Sequence, residues 1–195
     1  MINIYGSHRF VVEEILKRVT KPVLELGAGD FSTVQIHEAL KNKKISITTI
    51  DDSEEWLNKY CKLESKLHKL LLKNDEGIRE FYKNDTTKYG LVFIDLGKWE
   101  LRVDAVMKYK NVADYIILHD CNYYPDNGIF GKTIKKINVA YRIKGVRNYS
   151  DVFKYWIEFF MKDWNIHSPP TLLGSNKICL DNINISGMEA VNRNK

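Results

Sequence analysis

The chain has few of the residues that mark a membrane or secreted protein. Its three cysteines, Cys61, Cys121 and Cys179, are widely spaced and odd in number, which fits neither a disulfide framework nor a zinc module. No apolar run approaches the ~20 residues that a membrane-spanning helix needs, and the N-terminus lacks the pattern of a signal peptide. Prolines number only four, and no linker or repeat is visible. We therefore expect a protein of a reducing, cytoplasmic compartment with no membrane partner.

Composition is that of an ordinary globular protein. Hydrophobic residues make up 44% and charged residues 28% of the 195 positions, enough for one α/β domain with a substantial core. The net charge of +5 could help to hold a nucleic acid, but the lysines are spread along the chain, which favours a solvated surface. We expect a single domain over residues 1–185 and a flexible tail over 186–195.

A short apolar strand runs directly into a glycine turn in Pro22-Val-Leu-Glu-Leu-Gly-Ala-Gly-Asp-Phe-Ser-Thr33. Gly27 and Gly29 carry no Cβ, so the backbone can turn sharply there and approach a ligand closely. Glu25 precedes the turn, and its carboxylate would repel a pyrophosphate and attract a cationic amino group. The alternative is a turn that merely joins a strand to a helix, and a lone glycine motif does not decide between the two.

Three further strand-like runs end in polar residues, and they support a ligand site. The runs are Ile45–Ile50, Leu91–Ile94 and Tyr115–Leu118. The residues that follow them are Asp51, Asp95, His119 and Asp120. Near-continuous apolar strands are typical of a parallel sheet that is covered on both faces. Because the carboxyl ends of such strands meet at one edge, we expect these side chains to line a crevice there.

Together these motifs resemble those of class I S-adenosylmethionine-dependent methyltransferases, most closely the small-molecule and sugar O-methyltransferases. The matching segments are the glycine turn, Asp51, Tyr89-Gly-Leu-Val-Phe-Ile-Asp95 and Ala113-Asp-Tyr-Ile-Ile-Leu-His-Asp120. Phe31 replaces the usual third glycine. The resemblance covers roughly residues 8–120 and implies an α/β, Rossmann-like, doubly wound fold. The expected sheet is mostly parallel and seven-stranded, with an antiparallel strand near the C-terminus.

The same family topology implies two antiparallel closing strands in the last third of the chain. The first lies in the aromatic-rich segment 151–164, and the second is Thr171–Leu180. The aromatic residues of the first strand are expected to belong to the core, because aromatic side chains dominate core burial.

The resemblance implies that S-adenosylmethionine is the cofactor. The residues that it assigns to cofactor binding are Glu25, Gly27, Ala28, Gly29, Ser32, Thr33, Asp51, Asp75 and Asp95. Asp51 would accept hydrogen bonds from ribose, and Ser32 and Thr33 would cap the next helix and offer hydroxyls to the ligand's carboxylate. Asp75 would hold the adenine amino group, or it would instead belong to a helix cap.

The candidate catalytic residues are Asp95, His119 and Asp120, beside the expected position of the methyl group. An oxygen acceptor must lose its proton, and His119 could act as the general base. Alternatively, Asp95 and Asp120, with Asn122 as a third ligand, could hold Mg²⁺ as in the catechol-type enzymes, which have an asparagine where Cys121 stands here. A structural role for His119, held by backbone hydrogen bonds at the strand end, is the third interpretation.

The expected function is therefore O-methylation of a small molecule or sugar by in-line transfer from S-adenosylmethionine. One alternative is a methyltransferase for RNA or another macromolecule, which the positive charge and the basic run at residues 132–136 favour. Another is a non-catalytic module that retains only cofactor binding. An NAD-linked oxidoreductase is disfavoured by Glu25.

Overall fold

The computed structural model describes residues 6–121, 152–161 and 170–191, in which helices cover a central eight-stranded sheet. The helices are α1 (His8–Leu16), α2 (Thr33–Lys41), α3 (Glu54–Lys59), α4 (Asp75–Asn84) and α5 (Trp99–Tyr109). The strands are β1 (Val23–Leu26), β2 (Ile47–Asp51), β3 (His68–Leu72), β4 (Leu91–Ile94), β5 (Tyr115–Leu118), β6 (Tyr155–Met161), β7 (Thr171–Ser175) and β8 (Met188–Val191). No helix in these ranges is long and apolar enough to cross a bilayer.

The strand order is β3-β2-β1-β4-β5-β7-β6-β8, and it confirms the doubly wound fold. Strands β1 to β5 pair in parallel, whereas β7 pairs antiparallel with both β5 and β6. The chain reverses its direction of winding between β1 and β4. In open α/β sheets, ligands bind outside the carboxyl ends of the strands at such a reversal.

The C-terminal part of the chain differs from the expectation. The sheet has eight strands rather than seven, because β8 pairs antiparallel with β6 along its outer edge. Residues 186–195 were expected to form a flexible tail, but Met188 is buried and anchors β8 in the core. Residues 192–195 lie outside the described part of the chain. The two predicted closing strands are present as β6 and β7.

Alternation of side chains along β1 divides the core between the two faces of the sheet. Leu24 and Leu26 pack in the cluster under α4 and α5, whereas Val23 packs in the cluster under α1 and α2. Glu25 therefore points to the α1 and α2 side, because side chains two apart share a face. The register pairs Glu25 with Thr49 of β2. Strand geometry thus places a carboxylate inside the core rather than at the edge of the sheet.

The turn after β1 depends on a glycine. Gly27 has a φ of +97°, and a Cβ at this position would lie 2.5 Å from the carbonyl oxygen of Asp95. The backbone at the end of β1 therefore packs directly on the backbone at the end of β4. A side chain would be excluded by the left-handed backbone conformation as well as by this close approach.

We expect Gly27→Ala to lower the free energy of unfolding by at least about 3 kcal/mol, because it combines backbone strain with a clash against main chain. Gly187 also has a positive φ, of +79°, but open space around it. Gly187→Ala should therefore cost only about 1 kcal/mol, the strain alone. Gly97 has open space as well, and Gly97→Ala should stay within about 0.5 kcal/mol of wild type. Urea unfolding of the three variants measures these differences, and equal losses for Gly27 and Gly187 would contradict the role of the Asp95 contact.

Candidate active site

A pocket of about 480 Å³ opens at the carboxyl edge of the parallel strands. Its walls come from the turn after β1, the ends of β2, β4 and β5, and the first turn of α1. The lining residues are His8, Ala28, Gly29, Asp30, Phe31, Asp51, Asp52, Ser53, Trp56, Asp95, Gly97, His119 and Asp120. The volume lies within the ~300–1,000 Å³ that is typical of small-molecule sites.

Asp51 occupies the position that the sequence predicts for it, at the end of β2 and in the pocket wall. Its Oδ2 accepts a hydrogen bond of 2.6 Å from the backbone N–H of Ala28, and its Oδ1 accepts one of 2.7 Å from that of Ser53. These bonds tie the turn after β1 to the turn after β2. Each carboxylate oxygen has a further lone pair, so Asp51 can still accept from a ligand hydroxyl.

Glu25 lies beneath the glycine turn rather than in the pocket. Its side chain is fully buried, and it accepts hydrogen bonds from the hydroxyls of Thr33 at 3.0 Å and Thr49 at 2.7 Å. The expected direct contact between Glu25 and a cationic amino group is therefore not what this geometry offers. Instead, the Thr33 hydroxyl accepts a hydrogen bond of 2.9 Å from the backbone N–H of Gly29 and donates one to Glu25. Glu25 is thereby connected to the glycine turn through Thr33.

Ser32 and Thr33 are buried with Glu25, so the structure does not place their hydroxyls where a ligand's carboxylate would lie. The Ser32 side chain also hydrogen-bonds Glu25, and neither Ser32 nor Thr33 is among the residues that line the pocket. Burial raises the pKa of Glu25 to about 7, and the hydroxyl donors only partly offset this effect. Glu25, Ser32 and Thr33 thus act as supports that hold the turn in shape.

The three predicted catalytic residues do come together, and they form what we call the acidic wall: Asp95, His119 and Asp120. His119 Nδ1 lies 3.1 Å from Asp95 Oδ2, and His119 Nε2 lies 3.4 Å from Asp120 Oδ1. Burial by itself would lower the pKa of His119, but the negative charge of Asp95 outweighs it and raises the pKa above its ordinary value. Burial raises the pKa of Asp120 in spite of the nearby His119.

A buried arginine supports the acidic wall from behind. Arg102 of α5 lies 3.1 Å from Asp95 Oδ1 through its Nη2 and donates from Nη1 to the carbonyl oxygen of His119 at 2.9 Å. Its Nε donates to the carbonyl oxygen of Leu96. Burial alone would raise the pKa of Asp95, but His119 and Arg102 reverse the effect and lower it. The burial of α5 against β4 makes Arg102 a structural cation.

His8 is the functional candidate that the motifs missed. It lies in the first turn of α1, is 4% exposed, and lines the pocket between Phe93 and His119, with ring centroids 5.1 and 4.2 Å away. Among the described residues, neither ring nitrogen of His8 has a hydrogen-bond partner. Burial lowers its pKa to about 3, so the ring is neutral at physiological pH. No periodicity or spacing relates His8 to the acidic wall, because only packing of α1 brings it there.

Trp56 is a second residue that the motifs did not single out. It borders the pocket on α3, 40% of its surface is exposed, and its ring is stacked near Tyr60 at an interplanar angle of 15°. The side chain of Ser53, which accepts from the N–H of Trp56, caps α3 and fixes its start beside Asp51. An exposed aromatic face next to a ribose-binding position is suited to stacking a nucleobase.

Asp75, predicted to hold the adenine amino group, does not line this pocket. Asp75 begins α4 and forms an ion pair with Lys98, while the neighbouring Asn74 caps the helix through the N–H of Gly77. The structure therefore gives Asp75 the surroundings of a helix start, the alternative interpretation of its motif. Asn122 lies outside the described residues, as does the basic run at residues 132–136.

The charge of the pocket is strongly negative. The lining residues given above include five aspartates and neither a lysine nor an arginine. Lys59 pairs with Asp30, and Arg102 pairs with Asp95 and, at 4.0 Å, with Asp120, which leaves Asp51 and Asp52 to set the potential. A concave surface with one sign of charge concentrates ligands of the opposite sign. A pyrophosphate would therefore meet repulsion here, the effect that the sequence suggested for Glu25, but from different carboxylates.

We expect the Glu25→Gln variant to gain stability over wild type as the pH rises. Because the folded-state pKa of about 7 lies above the ordinary value of 4.5, the proton on Glu25 favours the folded state. That contribution is complete below pH ~4.5 and is lost as the pH rises through ~7. Glutamine does not titrate, so the difference in unfolding free energy between the variants should grow by about 3 kcal/mol between pH 4.5 and 8.

Urea unfolding of both proteins across this pH range measures the difference. Burial lowers the pKa of His8 to about 3 and that of His68 to about 4. Each of these histidines therefore adds to the free energy of unfolding as the pH rises, whereas Glu25 subtracts from it. Both histidines are present in both proteins, and their contributions cancel in the comparison. A constant difference from pH 4.5 to 8 would show that Glu25 does not titrate in this way.

Comparison with known proteins finds likeness in structure alone. No family model matches the chain, and no curated protein matches it. A candidate caffeoyl-CoA O-methyltransferase from Staphylococcus aureus is 18% identical, with a TM-score of 0.55 over 85% of this chain and 80% of that one. The O-methyltransferase TomG from Streptomyces achromogenes, involved in tomaymycin synthesis and solved with S-adenosylmethionine, is 13% identical, with a TM-score of 0.58 over 88% and 80%.

Spermidine synthase from Thermotoga maritima is a third structural neighbour, 15% identical, with a TM-score of 0.55 over 90% of this chain and 61% of its own. These three proteins share a fold, but two are named as O-methyltransferases and the third as a spermidine synthase. At such low identity the likeness establishes the fold alone. The chain therefore has the Rossmann-like fold that S-adenosylmethionine-dependent O-methyltransferases also adopt.

Proposed function

We propose that the chain transfers a methyl group from S-adenosylmethionine to an oxygen atom of a small molecule or sugar. The observation that carries the proposal is the pocket that joins a glycine turn and Asp51 at one side to the acidic wall at the other. The first group of residues suits a nucleoside cofactor, and the second suits an acceptor that must lose a proton. Both open into one space of the size of a small-molecule site.

The residues present fit S-adenosylmethionine better than NAD. S-adenosylmethionine carries positive charge on its sulfonium and amino groups, whereas NAD carries a pyrophosphate. The aspartate-lined pocket attracts the first and repels the second. The structural neighbour TomG, which has the same fold, was solved with S-adenosylmethionine, and this supports the same choice.

We assign the nucleoside part of the cofactor to the side of the pocket formed by β2 and α3. Asp51 would accept hydrogen bonds from ribose hydroxyls, and the Trp56 ring would stack on adenine. The half-buried backbone at Ala28 and Gly29 would border the methionine part. Asp51, which already holds the N–H groups of Ala28 and Ser53, would couple ligand binding to the shape of both turns.

The acidic wall would receive the acceptor. S-adenosylmethionine, when bound, supplies a methyl group on positively charged sulfur, and loss of the methyl group leaves the sulfur as a neutral thioether. Alignment of donor and acceptor in a dry pocket provides much of the rate enhancement in such a displacement. The imidazole of His119 and the carboxylate of Asp120 offer atoms that can hold the acceptor hydroxyl and take its proton. Arg102, fixed behind Asp95 and His119, keeps the wall rigid.

Magnesium at Asp95, Asp120 and Asn122 is not the arrangement that we favour. The guanidinium of Arg102 lies 3.1 Å from Asp95 Oδ1 and 4.0 Å from Asp120 Oδ2. A cationic side chain therefore already stands between the two carboxylates that would ligate the ion. Arg102 thus engages Asp95 Oδ1 and faces Asp120 Oδ2, so these two oxygens are not free to ligate Mg²⁺ together.

The proposed acceptor is a small molecule, and the proposed setting is cytoplasmic. The three cysteines are free thiols, which suits a reducing compartment. A nucleic-acid acceptor is less favoured, because the described walls of the pocket are acidic and would repel phosphates. A non-catalytic module would not need the acidic wall.

Calorimetric titration with S-adenosylhomocysteine tests the cofactor class. We expect micromolar binding of this ligand and none of NAD under the same conditions. Asp51→Asn should weaken binding by about 10- to 100-fold, because a hydrogen bond to a charged group is worth about 1.5–3 kcal/mol. Asp104→Asn is the matched control, since Asp104 is exposed on α5 and pairs with Arg79. Binding of NAD and not of S-adenosylhomocysteine would overturn the proposal in favour of an oxidoreductase.

Turnover tests the acidic wall. Formation of S-adenosylhomocysteine is measured by mass spectrometry with panels of catechols, phenols and sugars as acceptors. We expect His119→Ala to reduce turnover at least about 100-fold, the usual contribution of a group that handles a proton in the transition state. Its affinity for S-adenosylhomocysteine should change less than about threefold, since His119 lies on the acceptor side. Wild-type turnover that survives in the variant would remove His119 from the mechanism.

A further inference from the structure

We propose that His8, Asp95 and His119 form a binding site for one divalent first-row transition metal ion. The site stands on three side chains and their surroundings, and it does not depend on the function proposed above. The three residues come from the start of α1 and from the ends of β4 and β5, so only the folded chain assembles them.

The spacing of the three side chains matches a common ion. One ligand atom from each of them lies within 4.8 Å of the other two. Nitrogen and oxygen ligands lie about 2.0–2.1 Å from such an ion, so neighbouring ligands stand about 3.0–3.4 Å apart and opposite ones about 4.2 Å apart. The 3.1 Å between His119 Nδ1 and Asp95 Oδ2 falls in the first of these intervals. Side-chain movements of less than about 1 Å would bring a ring nitrogen of His8 to the ~4.2 Å that separates opposite ligands.

His8 gives the strongest indication that a ligand belongs here. The ring is buried in the pocket wall, and within the described ranges both of its nitrogens lack a hydrogen-bond partner. A buried polar group without a partner costs about 1–3 kcal/mol, and native proteins rarely leave one unpaired. A ring nitrogen without a hydrogen-bond partner can offer its lone pair to an ion.

The surroundings also resemble the outer shell of a metal site. Arg102 engages Asp95 Oδ1 and leaves Oδ2 facing His119. Asp120 Oδ1 lies 3.4 Å from His119 Nε2, the nitrogen on the far side of the ring from Asp95. Metal-bound histidines usually have a carboxylate or carbonyl on their second nitrogen, which orients the ring and fixes its tautomer. Asp120 is placed to do this for His119.

The ligand set selects the class of ion. Two imidazoles and one carboxylate suit zinc, iron, cobalt or nickel, whereas magnesium and calcium prefer an all-oxygen set. Three protein ligands leave at least one coordination position open toward the pocket. With the ion on Nδ1 and Asp120 on Nε2, His119 would have no free nitrogen, and Asp120 would then be the group that takes the proton of the acceptor.

Cobalt(II) is the probe that tests the site, because its visible absorption reports ligand type and geometry. The titration uses full-length, chelator-treated protein in which the exposed Cys61 and Cys179 are replaced by serine, so that surface thiols do not contribute. We expect one equivalent to bind, with absorption bands in the visible range. One equivalent of Zn²⁺ should displace it, and a ~100-fold excess of Mg²⁺ should not.

Three substitutions locate the ion. His8→Phe, which keeps a ring in the core, and Asp95→Asn should each weaken Co²⁺ binding by at least about 100-fold. Asp120→Asn should weaken it by about 10- to 100-fold, as expected for an outer-shell partner. His37→Phe is the matched control, because His37 contacts His68 in a separate histidine pair outside the pocket, and its affinity should equal that of wild type. Circular dichroism and thermal unfolding establish that each variant is folded.

Two results would overturn the site. Wild-type protein that binds no Co²⁺ would make His8 a core histidine, and equal binding by wild type and His8→Phe would place the ion elsewhere. Titration with S-adenosylhomocysteine on the same metal-free protein separates this proposal from the proposed function. S-adenosylhomocysteine binding without Co²⁺ binding rejects the ion site alone, and Co²⁺ binding without S-adenosylhomocysteine binding rejects the methyltransferase alone.

Discussion

The contact between the backbone of Gly27 and the carbonyl of Asp95 is the constraint on which the rest of the site depends. Because Gly27 has no Cβ, the main chain of the turn after β1 packs directly on the main chain at the end of β4. A Cβ on Gly27 would lie only 2.5 Å from the carbonyl oxygen of Asp95. This contact sets the distance from the cofactor side of the pocket to the acidic wall. Asp51 then ties the same turn to β2, and Glu25 restrains it from below through Thr33. A ligand therefore meets a turn whose shape is already determined.

Buried charge is distributed so that each carboxylate has a different counterpart. Burial raises the pKa of Glu25, although neutral hydroxyls donate to its carboxylate. Asp95 faces a guanidinium and an imidazole, and its pKa falls, whereas burial raises the pKa of the nearby Asp120. Neighbouring carboxylates with pKa values shifted in opposite directions are typical of sites that handle protons or ions. In the same pocket wall, the ring nitrogens of His8 have no hydrogen-bond partner among the residues described.

The structural neighbours show how little the fold alone says about chemistry. An O-methyltransferase and a spermidine synthase both align with this chain at TM-scores of 0.55 or more. What the fold provides is a crevice at the carboxyl ends of parallel strands, where many reactions are carried out. The reaction is decided by the side chains at the strand ends, here His119 and the aspartates around it. For that reason the function proposed here is argued from the pocket.

The sequence by itself determined the sheet, the glycine turn and the strand ends, because these follow from local periodicity and from residues adjacent along the chain. Asp51, Asp95, His119 and Asp120 could all be predicted, since each lies at the end of a buried strand or within two residues of it. Tertiary structure alone decided that Glu25 is buried beneath the glycine turn, that Arg102 is buried behind the acidic wall, and that His8 reaches the pocket. These outcomes depend on how α1, α2 and α5 pack across the sheet. Contacts between residues far apart in the chain leave no spacing pattern in a single sequence.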